Sequence, residues 1–244
     1  MEDVSSLLED GFAILRGIFR QQEVAFLIEA IATLDGEAGV RSRGGVYAVR
    51  NLLELSAAVA QLAESAAVRR IVEESLGKDA FAVRGILFDK TAGANWLVPW
   101  HQDLTIAVAA QVDVPGYRPW SKRAAVWHVQ PPVAVLEEML SVRIHLDGCD
   151  ESNGALRVLP GTHRLGRLTS AQIADQVGCV TPVACAASPG DVLLMRPLLL
   201  HASSAVTQVL HRRVIHLDFA FRALDGGLEW FTQKYKRRRI APAP

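Results

Sequence analysis

The sequence PWHQD at residues 99–103 contains a histidine and an aspartate, His101 and Asp103, separated by one residue. In an extended strand residues i and i+2 face the same side, so this imidazole and this carboxylate can point to one place. A second histidine, His201, ends the apolar run MRPLLL and is followed by small residues. Two histidines and one carboxylate on one face of an octahedron are typical of non-haem Fe(II) sites. The pattern indicates a metal site, although an isolated HxD pair is more often a structural histidine bonded to the aspartate.

The sequence around this pattern changes character near residue 80. Before that point, RQQEVAFLIEAIATLD (20–35) places apolar residues on one helical face, and a second helix is expected from about residue 54 to Gly77, a typical helix stop. After it, short apolar or β-branched runs lie between turn residues, namely AVRGILFDK, LSVRIHLDG, ALRVLPG, GDVLLM and RVIHLDFAF. We therefore predict a mainly β fold with flanking helices, in which residues 1–77 form a helical region that braces the outside.

Residues 104–137 contain four prolines among several aromatic residues, a composition that disfavours regular secondary structure. Long aromatic loops of this kind usually cover a site, and a packed surface loop without a ligand is an equal alternative. We predict that 104–137 is an insertion that forms a lid over the active site. Its candidate substrate contacts are Trp120, Trp127 and His128, and Gln102 is a further one.

Composition limits the class of protein. The chain has 244 residues, 26 Lys and Arg against 26 Asp and Glu, and 50% hydrophobic residues, which predicts one globular domain over 1–244. A neutral chain lacks the positive field that nucleic acids or anionic membranes attract, so neither is an expected partner. The three cysteines form no CxxC pair and the N-terminus does not resemble a secretory signal, so we expect a cytoplasmic protein. The oligomeric state is not indicated.

The remaining histidines are less informative. His163 follows the Pro160-Gly161 turn, and His145 and His216 lie within β-like runs. Each is most simply interpreted as structural.

Several sequence blocks occur in the order found in one known family. The block DESNGALRVLPGTHRLGRL (150–168) resembles the N-x-L-x-x-x-P-G-S-H signature of the phytanoyl-CoA dioxygenase family, which are Fe(II)- and 2-oxoglutarate-dependent oxygenases. Four further segments are similar to other blocks of this family: WHQD (100–103), GDVLLMRPLLLHASS (190–204), HRRVIHLDFA (211–220) and the opening GFAILRGIFRQQEV (11–24). The resemblance spans nearly the whole chain. It implies a double-stranded β-helix (jelly roll, cupin-like), with His101 and Asp103 on one strand and His201 across the barrel mouth.

The resemblance also implies a role for individual residues. His101, Asp103 and His201 would bind iron. Arg212, eleven positions after His201, would pair with the distal carboxylate of 2-oxoglutarate, assisted by the Ser203 hydroxyl. An arginine suits this role because its planar fork offers two parallel donors and stays charged.

The resemblance also bears on three further basic residues. Lys90 matches a family lysine near the keto-acid end of the co-substrate. Arg143 stands where relatives of the phytanoyl enzyme have a tryptophan, and we expect it at the 2-oxoglutarate end of the pocket. Arg213 would face away from Arg212 on a regular strand.

The implied activity uses O2 to convert 2-oxoglutarate to succinate and CO2 while a C–H bond of a small molecule is hydroxylated. Halogenating relatives have Ala or Gly at the position of Asp103, which leaves a metal position free for chloride. The carboxylate of Asp103 therefore favours hydroxylation. The lid residues suit a small polar or amphipathic metabolite better than a long acyl chain. Two alternatives stay open, a non-catalytic jelly-roll module that binds a metabolite or metal and a Zn(II) hydrolase that uses the same three ligands.

Overall fold

The computed structural model describes residues 5–34, 40–42, 46–91, 97–205 and 211–232. The strands in these ranges are β1 (Phe12–Leu15), β2 (Val40–Ser42), β3 (Val46–Arg50), β4 (Phe81–Lys90), β5 (Val98–His101), β6 (Ile106–Val108), β7 (Trp120–Arg123), β8 (Val126–Val129), β9 (Leu140–His145), β10 (Leu156–Val158), β11 (Val183–Cys185), β12 (Val192–Met195), β13 (His201–Ser203) and β14 (Arg212–Ala220). The helices are α1 (Ser5–Glu9), α2 (Gln21–Ala32), α3 (Leu52–Leu55), α4 (Ala57–Ala63), α5 (Ala66–Leu76), α6 (Val133–Glu137) and α7 (Ser170–Cys179), with a 3₁₀ turn at Thr162–Leu165.

Three antiparallel sheets make up the β structure. The major sheet has the strand order β1-β12-β9-β14-β4-β3-β2, the minor sheet β11-β10-β13-β5 and the third sheet β6-β8-β7. The major and minor sheets face each other, because Lys90 on β4 contacts Ser203 on β13. This is the jelly roll of the cupin type that the family resemblance implied, and the prediction of a mainly β fold with flanking helices is confirmed.

The two faces of the major sheet differ in chemistry. Ile215 and Leu217 on β14 point outward into the main apolar core, which includes Leu27 of α2 and Val68 of α5. The alternate residues of β14 point inward and are mostly polar, since successive side chains of a strand face opposite sides. The helices therefore cover the outer face, and the inner face is left to form a polar site.

The predicted first helix is confirmed as α2, whereas the predicted second helix is divided into α3, α4 and α5. Two serines cause the divisions, because the Ser56 and Ser65 hydroxyls accept hydrogen bonds from the backbone N–H groups of Val59 and Val68 and so begin new helices. Gly77 ends α5 with a positive φ, as its position predicted. None of the helices in the described ranges is long and apolar enough to cross a membrane.

The region 1–77 is less helical than predicted, because its described parts also contain β1, β2 and β3. Strand β1 pairs with β12, and β3 pairs with β4, so this region extends the major sheet on both sides. The reason is local: alternate residues of Phe12–Leu15 are buried, which is the period of a strand.

The prediction of irregular structure over 104–137 is wrong in part, because this segment contains the third sheet and α6. The prolines lie between the elements: Pro115 and Pro119 precede β7, and Pro131 and Pro132 follow β8. They therefore do not interrupt a β ladder. The role of the segment as a lid stays a prediction.

Gly190 offers a test of how the N-terminal region is joined to the major sheet. Its φ is +89°, and a Cβ there would stand 2.1 Å from the carbonyl oxygen of Phe19. We expect Gly190→Ala to lower the free energy of unfolding by more than about 3 kcal/mol, since steric overlap adds to backbone strain.

The matched control is Gly17→Ala, which also has a positive φ but no atom within 4 Å of the added Cβ. It should cost only about 1–2 kcal/mol, the strain of a left-handed alanine. Urea denaturation measures both values. Equal losses would show that the close approach of Phe19 is not rigid.

Candidate active site

The predicted metal ligands meet at one place. His201 on β13 is the direct cross-strand partner of His101 on β5, and Asp103 follows β5 by two residues. The Asp103 carboxylate oxygens lie 4.0 Å from His101 Nε2 and 3.7 Å from His201 Nε2. Among the described residues, these three side chains form the one group of His, Cys, Asp and Glu whose ligand atoms, all within 4.8 Å of one another, could hold a metal ion.

Both imidazoles are oriented by their own backbone. His101 Nδ1 lies 2.9 Å from the carbonyl oxygen of Pro99, and His201 Nδ1 lies 2.8 Å from that of Leu199. A carbonyl can only accept, so each Nδ1 carries the proton and each Nε2 presents a lone pair toward Asp103. Metal-binding histidines are usually held in this way, and the donor set therefore fits an iron ion.

Electrostatics keep these groups in their ligating forms. Burial lowers the pKa of His201 to about 4, so its imidazole is neutral at pH 7. Burial alone would raise the pKa of the Asp103 carboxyl, but electrostatic attraction to the imidazoles of His201, His216 and His101 holds it below its ordinary value. A neutral imidazole and an ionised carboxylate are the forms that bind a metal.

These three residues line a cavity of about 140 Å³, here called the ligand cavity. Its described lining residues are Arg84, Ile86, Phe88, Lys90, Val98, His101, Asp103, Arg143, Leu156, His201, Ser203, Arg212 and His216. Four of them are cations and one is a carboxylate, so the cavity favours anionic ligands.

One end of the ligand cavity brings together three of the predicted co-substrate residues. Arg212 on β14 is the cross-strand partner of Lys90 on β4, and both are buried. Lys90 Nζ donates hydrogen bonds to Ser203 Oγ at 2.9 Å and to the carbonyl oxygen of Ser204 at 2.7 Å. Burial and the charge of Arg212 lower the pKa of Lys90 to about 7.

Arg212 is held by the turn that carries the family signature. Its Nη1 donates to the carbonyl oxygen of Gly154 and lies 3.9 Å from Cys149 Sγ, and its Nε is buried with no hydrogen-bond partner among the described residues. A Cβ at Gly154 would lie 2.7 Å from the carbonyl oxygen of Ser204, so glycine allows this close packing. Arg213 faces outward and makes an ion pair of 2.7 Å with Asp147.

Arg143 lies between the two ends of the cavity. Its Nη1 donates to His216 Nδ1 at 2.9 Å, its guanidinium carbon lies 5.7 Å from the centre of the Phe88 ring, and its Nε is buried without a partner. Burial and the nearby Arg212 lower the pKa of Arg143 to about 10, so it is charged at pH 7. It is therefore a second buried guanidinium able to bind a carboxylate.

Sequence reasoning missed His216, which was interpreted as structural but lines the ligand cavity. Because Arg143 only donates, His216 Nδ1 accepts, and its Nε2 donates to Asp218 Oδ1 at 2.8 Å. The Ser141 hydroxyl donates to the same oxygen at 2.7 Å. The signal was available: His216 and Asp218 lie four and six residues after Arg212, in phase with the period of a strand.

The expected substrate contact of Gln102 is wrong. Its Nε2 donates to the carbonyl oxygens of Gly166 and Leu198, each at 2.8 Å, and its Oε1 accepts from the backbone N–H of Leu168 at 2.8 Å. Between two residues that face the cavity, the alternation of a strand directs Gln102 the other way. It holds the segment of the metal ligands to two loops.

The aromatic residues of the third sheet also lie elsewhere. Trp120 and Trp127 pack edge to face at 6.3 Å and contact a second apolar core, and neither lines the described part of the ligand cavity. His128 lines a narrow adjoining pocket, which shares Arg84 and Ile86 with the ligand cavity. Substrate contacts of these three residues, like the role of 104–137 as a lid, therefore stay predictions.

A jelly roll with a His-Asp-His group at one end and buried cations behind it has the features of an Fe(II)- and 2-oxoglutarate-dependent oxygenase. The model of the family described as Phytanoyl-CoA dioxygenase (PhyH) matches residues 7–214. The chain belongs to this family. It is a 2-oxoglutarate-dependent dioxygenase, an oxidoreductase that uses iron and O2.

Solved structures show the same fold. EctD from S. alaskensis with 2-oxoglutarate and 5-hydroxyectoine has a TM-score of 0.69 at 21% identity, covering 89% of this chain and 74% of that chain. The epimerase SnoN in complex with Fe3+, alpha ketoglutarate and nogalamycin RO gives 0.66 at 18% identity, covering 89% and 81%. HygX from Streptomyces hygroscopicus with nickel and 2-oxoglutarate gives 0.63 at 16% identity, covering 90% and 89%. None of the curated proteins compared with the chain matches it.

Gln102 provides a test of how the ligand segment is positioned. In Gln102→Leu two carbonyls and one N–H lose their buried partners, and each such group costs about 1–3 kcal/mol. We expect a stability loss of at least about 2 kcal/mol in thermal or urea unfolding, together with weaker Fe(II) binding. A variant as stable as the wild type would contradict the assigned role.

Proposed function

We propose that this dioxygenase hydroxylates a C–H bond of a small metabolite and releases succinate and CO2. The observation that carries the proposal is the arrangement of the ligand cavity, which is lined by His101, Asp103 and His201 and has the buried pair Arg212 and Lys90 at one end. This arrangement matches the two requirements of the reaction, a metal site with open positions and an anchor for a dicarboxylic acid.

We assign the residues as follows. His101, Asp103 and His201 hold the iron, which when bound supplies the oxidising chemistry with O2. Arg212 pairs with the distal carboxylate of 2-oxoglutarate, and its unpartnered Nε is available for that bond. Ser203 supplies a hydroxyl beside the same carboxylate. Lys90 was expected near the keto-acid end of the co-substrate, but it lies beside Arg212, and we assign it instead to position that hydroxyl through its own hydrogen bond.

Arg143 is assigned to the same ligand. Its guanidinium lies in the cavity between Arg212 and the iron ligands, with a buried Nε to spare. We assign it to bind a carboxylate of 2-oxoglutarate and so to orient the co-substrate toward the metal ligands. A tryptophan at this position is uncharged and could not make this ion pair. The hydrogen bond to His216, which is in turn fixed by Asp218, sets the direction of this arginine.

The cavity favours this proposal over both alternatives. A module that binds only a metabolite has no need to keep two imidazoles with their Nε2 atoms turned toward one carboxylate, and a module that binds only a metal has no need of the buried cations Arg212 and Lys90. A Zn(II) hydrolase needs no anchor for a dicarboxylic acid, yet Arg212, Lys90 and Ser203 lie together behind the metal ligands. The substrate is proposed to be a small molecule, since EctD and SnoN have been solved with 5-hydroxyectoine and nogalamycin RO.

The oxygenase activity can be tested before the substrate is known. Purified protein with Fe(II), ascorbate and 2-oxoglutarate should release succinate slowly in air, since the co-substrate can be consumed without a substrate. His201→Ala should abolish the release because the metal site loses a ligand. Repeating the assay with a panel of metabolites should show stimulation, and mass spectrometry should show a product that has gained one oxygen atom. Absence of succinate across the whole panel would reject the proposed function.

The co-substrate anchor is tested by two adjacent arginines. Arg212→Ala should weaken 2-oxoglutarate binding at least about tenfold, or about 1.4 kcal/mol, because a charge-assisted hydrogen bond in a buried site is lost. Arg213→Ala is the control, because its side chain pairs with Asp147 on the outer face. Calorimetry on the Mn(II) protein measures both affinities. If Arg213→Ala had the larger effect, or if neither variant did, the assignment of the anchor would fail.

A further inference from the structure

Arg84 lies at the end of the ligand cavity opposite to the proposed co-substrate anchor. It is on β4, six residues before Lys90, which corresponds to roughly 20 Å along an extended strand. Its side chain points to the same side of the sheet as Lys90, because the two residues are six positions apart, an even spacing. A 2-oxoglutarate molecule held by Arg212 has only five carbons and cannot span this length. Arg84 is therefore left for a different ligand.

The contacts of Arg84 within the protein are loose. Its Nη1 lies 3.8 Å from Asp218 Oδ2 and 3.5 Å from the carbonyl oxygen of Thr105, both beyond an ordinary charge-assisted hydrogen bond. Asp218 is already stabilised without it, since its Oδ1 accepts from His216 and Ser141. Arg84 is thus not held in place as one half of a close ion pair, and its guanidinium lines the cavity.

The charges of the ligand cavity also leave an excess that an anion would balance. Fe(II) and 2-oxoglutarate carry equal and opposite charges, so they cancel. Four cations line the described cavity, namely Arg84, Lys90, Arg143 and Arg212, whereas Asp103 on its wall and Asp218 beside it supply two negative charges. Two positive charges then remain, or one where Lys90 is neutral. Such a cavity attracts a substrate of negative charge.

The narrow adjoining pocket has the same polarity. Arg50 on β3 is the cross-strand partner of Ile86, and it lines this pocket together with Arg84 and His128. Burial and the charges of Arg84, Arg123 and Arg50 lower the pKa of His128 to about 4, which reflects a positive field. Glu54 is the carboxylate on the described lining of this pocket, and burial raises its pKa to about 7.

We infer that the substrate of this dioxygenase carries an anionic group, a carboxylate or a phosphate or sulfate ester, which pairs with Arg84 on the side of the metal ligands away from Arg212. The apolar part of the substrate lies against Ile86 and Phe88. This inference rests on the proposed function, since it assigns 2-oxoglutarate to the Arg212 end. Arg84 then selects the substrate and fixes which C–H bond faces the metal.

The test uses matched ligands on protein that cannot turn over. Protein loaded with Mn(II) and saturating 2-oxoglutarate, which fills the Arg212 end, is titrated calorimetrically with 3-phenylpropionate, phenyl phosphate and the neutral 3-phenylpropionamide. At least one anion should bind at least tenfold more tightly than the amide, and the stronger of the two identifies the anionic group. Arg84→Gln should remove the preference, Arg84→Lys should keep part of it, and Arg118→Gln, an exposed arginine paired with Asp113, should keep it in full.

Three results would overturn the inference: equal binding of acid and amide, no binding of any of the three ligands, or a preference that persists in Arg84→Gln. Circular dichroism of each variant confirms that it is folded. Succinate release by the wild-type protein separates this inference from the proposed function. Succinate without an anion preference rejects the anion site alone, whereas an Arg84-dependent preference without succinate rejects the oxygenase function and leaves the anion site standing.

Discussion

The pairing of β13 with β5 is the interaction on which the rest of the site depends. It sets His201 directly opposite His101 and leaves Asp103 two residues beyond the strand. A slip of one residue would turn one histidine away from the cavity, because side chains alternate along a strand. The register is secured outside the site by Gln102, whose three hydrogen bonds hold the ligand segment to the neighbouring loops. Geometry at the metal site therefore rests on a residue that faces away from it.

The major sheet carries several buried cations, which must be stabilised inside the protein. Isolated buried charges are costly, and such groups need hydrogen bonds or counter-charges. Lys90 donates to Ser203 and to the Ser204 carbonyl, and Arg212 donates to the Gly154 carbonyl. Each partner belongs to the minor sheet or to the turn beside it. The folded protein thus already contains a site that favours anions. The outer apolar face of the major sheet packs against the helices, and this packing holds β14 in place.

Much of this arrangement was predictable from the sequence. The mainly β class, helix α2, the stop at Gly77 and the meeting of His101, Asp103 and His201 all follow from periodicity and spacing, together with the family resemblance. The failures are long-range in origin. Gln102 looked available because its partners are distant in sequence, and the strands of 104–137 were obscured by prolines that lie outside them. Ser56 and Ser65 divided a helix that apolar content alone had predicted to be continuous.

The paired strands β4 and β14 also give the cavity a direction. Three inward-facing cross-strand pairs follow one another along these strands: Arg212 with Lys90, then His216 with Ile86, then Asp218 with Arg84. The pair of His216 and Ile86 lines the ligand cavity together with the proposed metal ligands. Two cationic ends separated by a metal site can hold two anions without exchanging them, provided that the ligands differ in length. Under the proposed function, the same pair of strands would thereby keep co-substrate and substrate on opposite sides of the iron ligands.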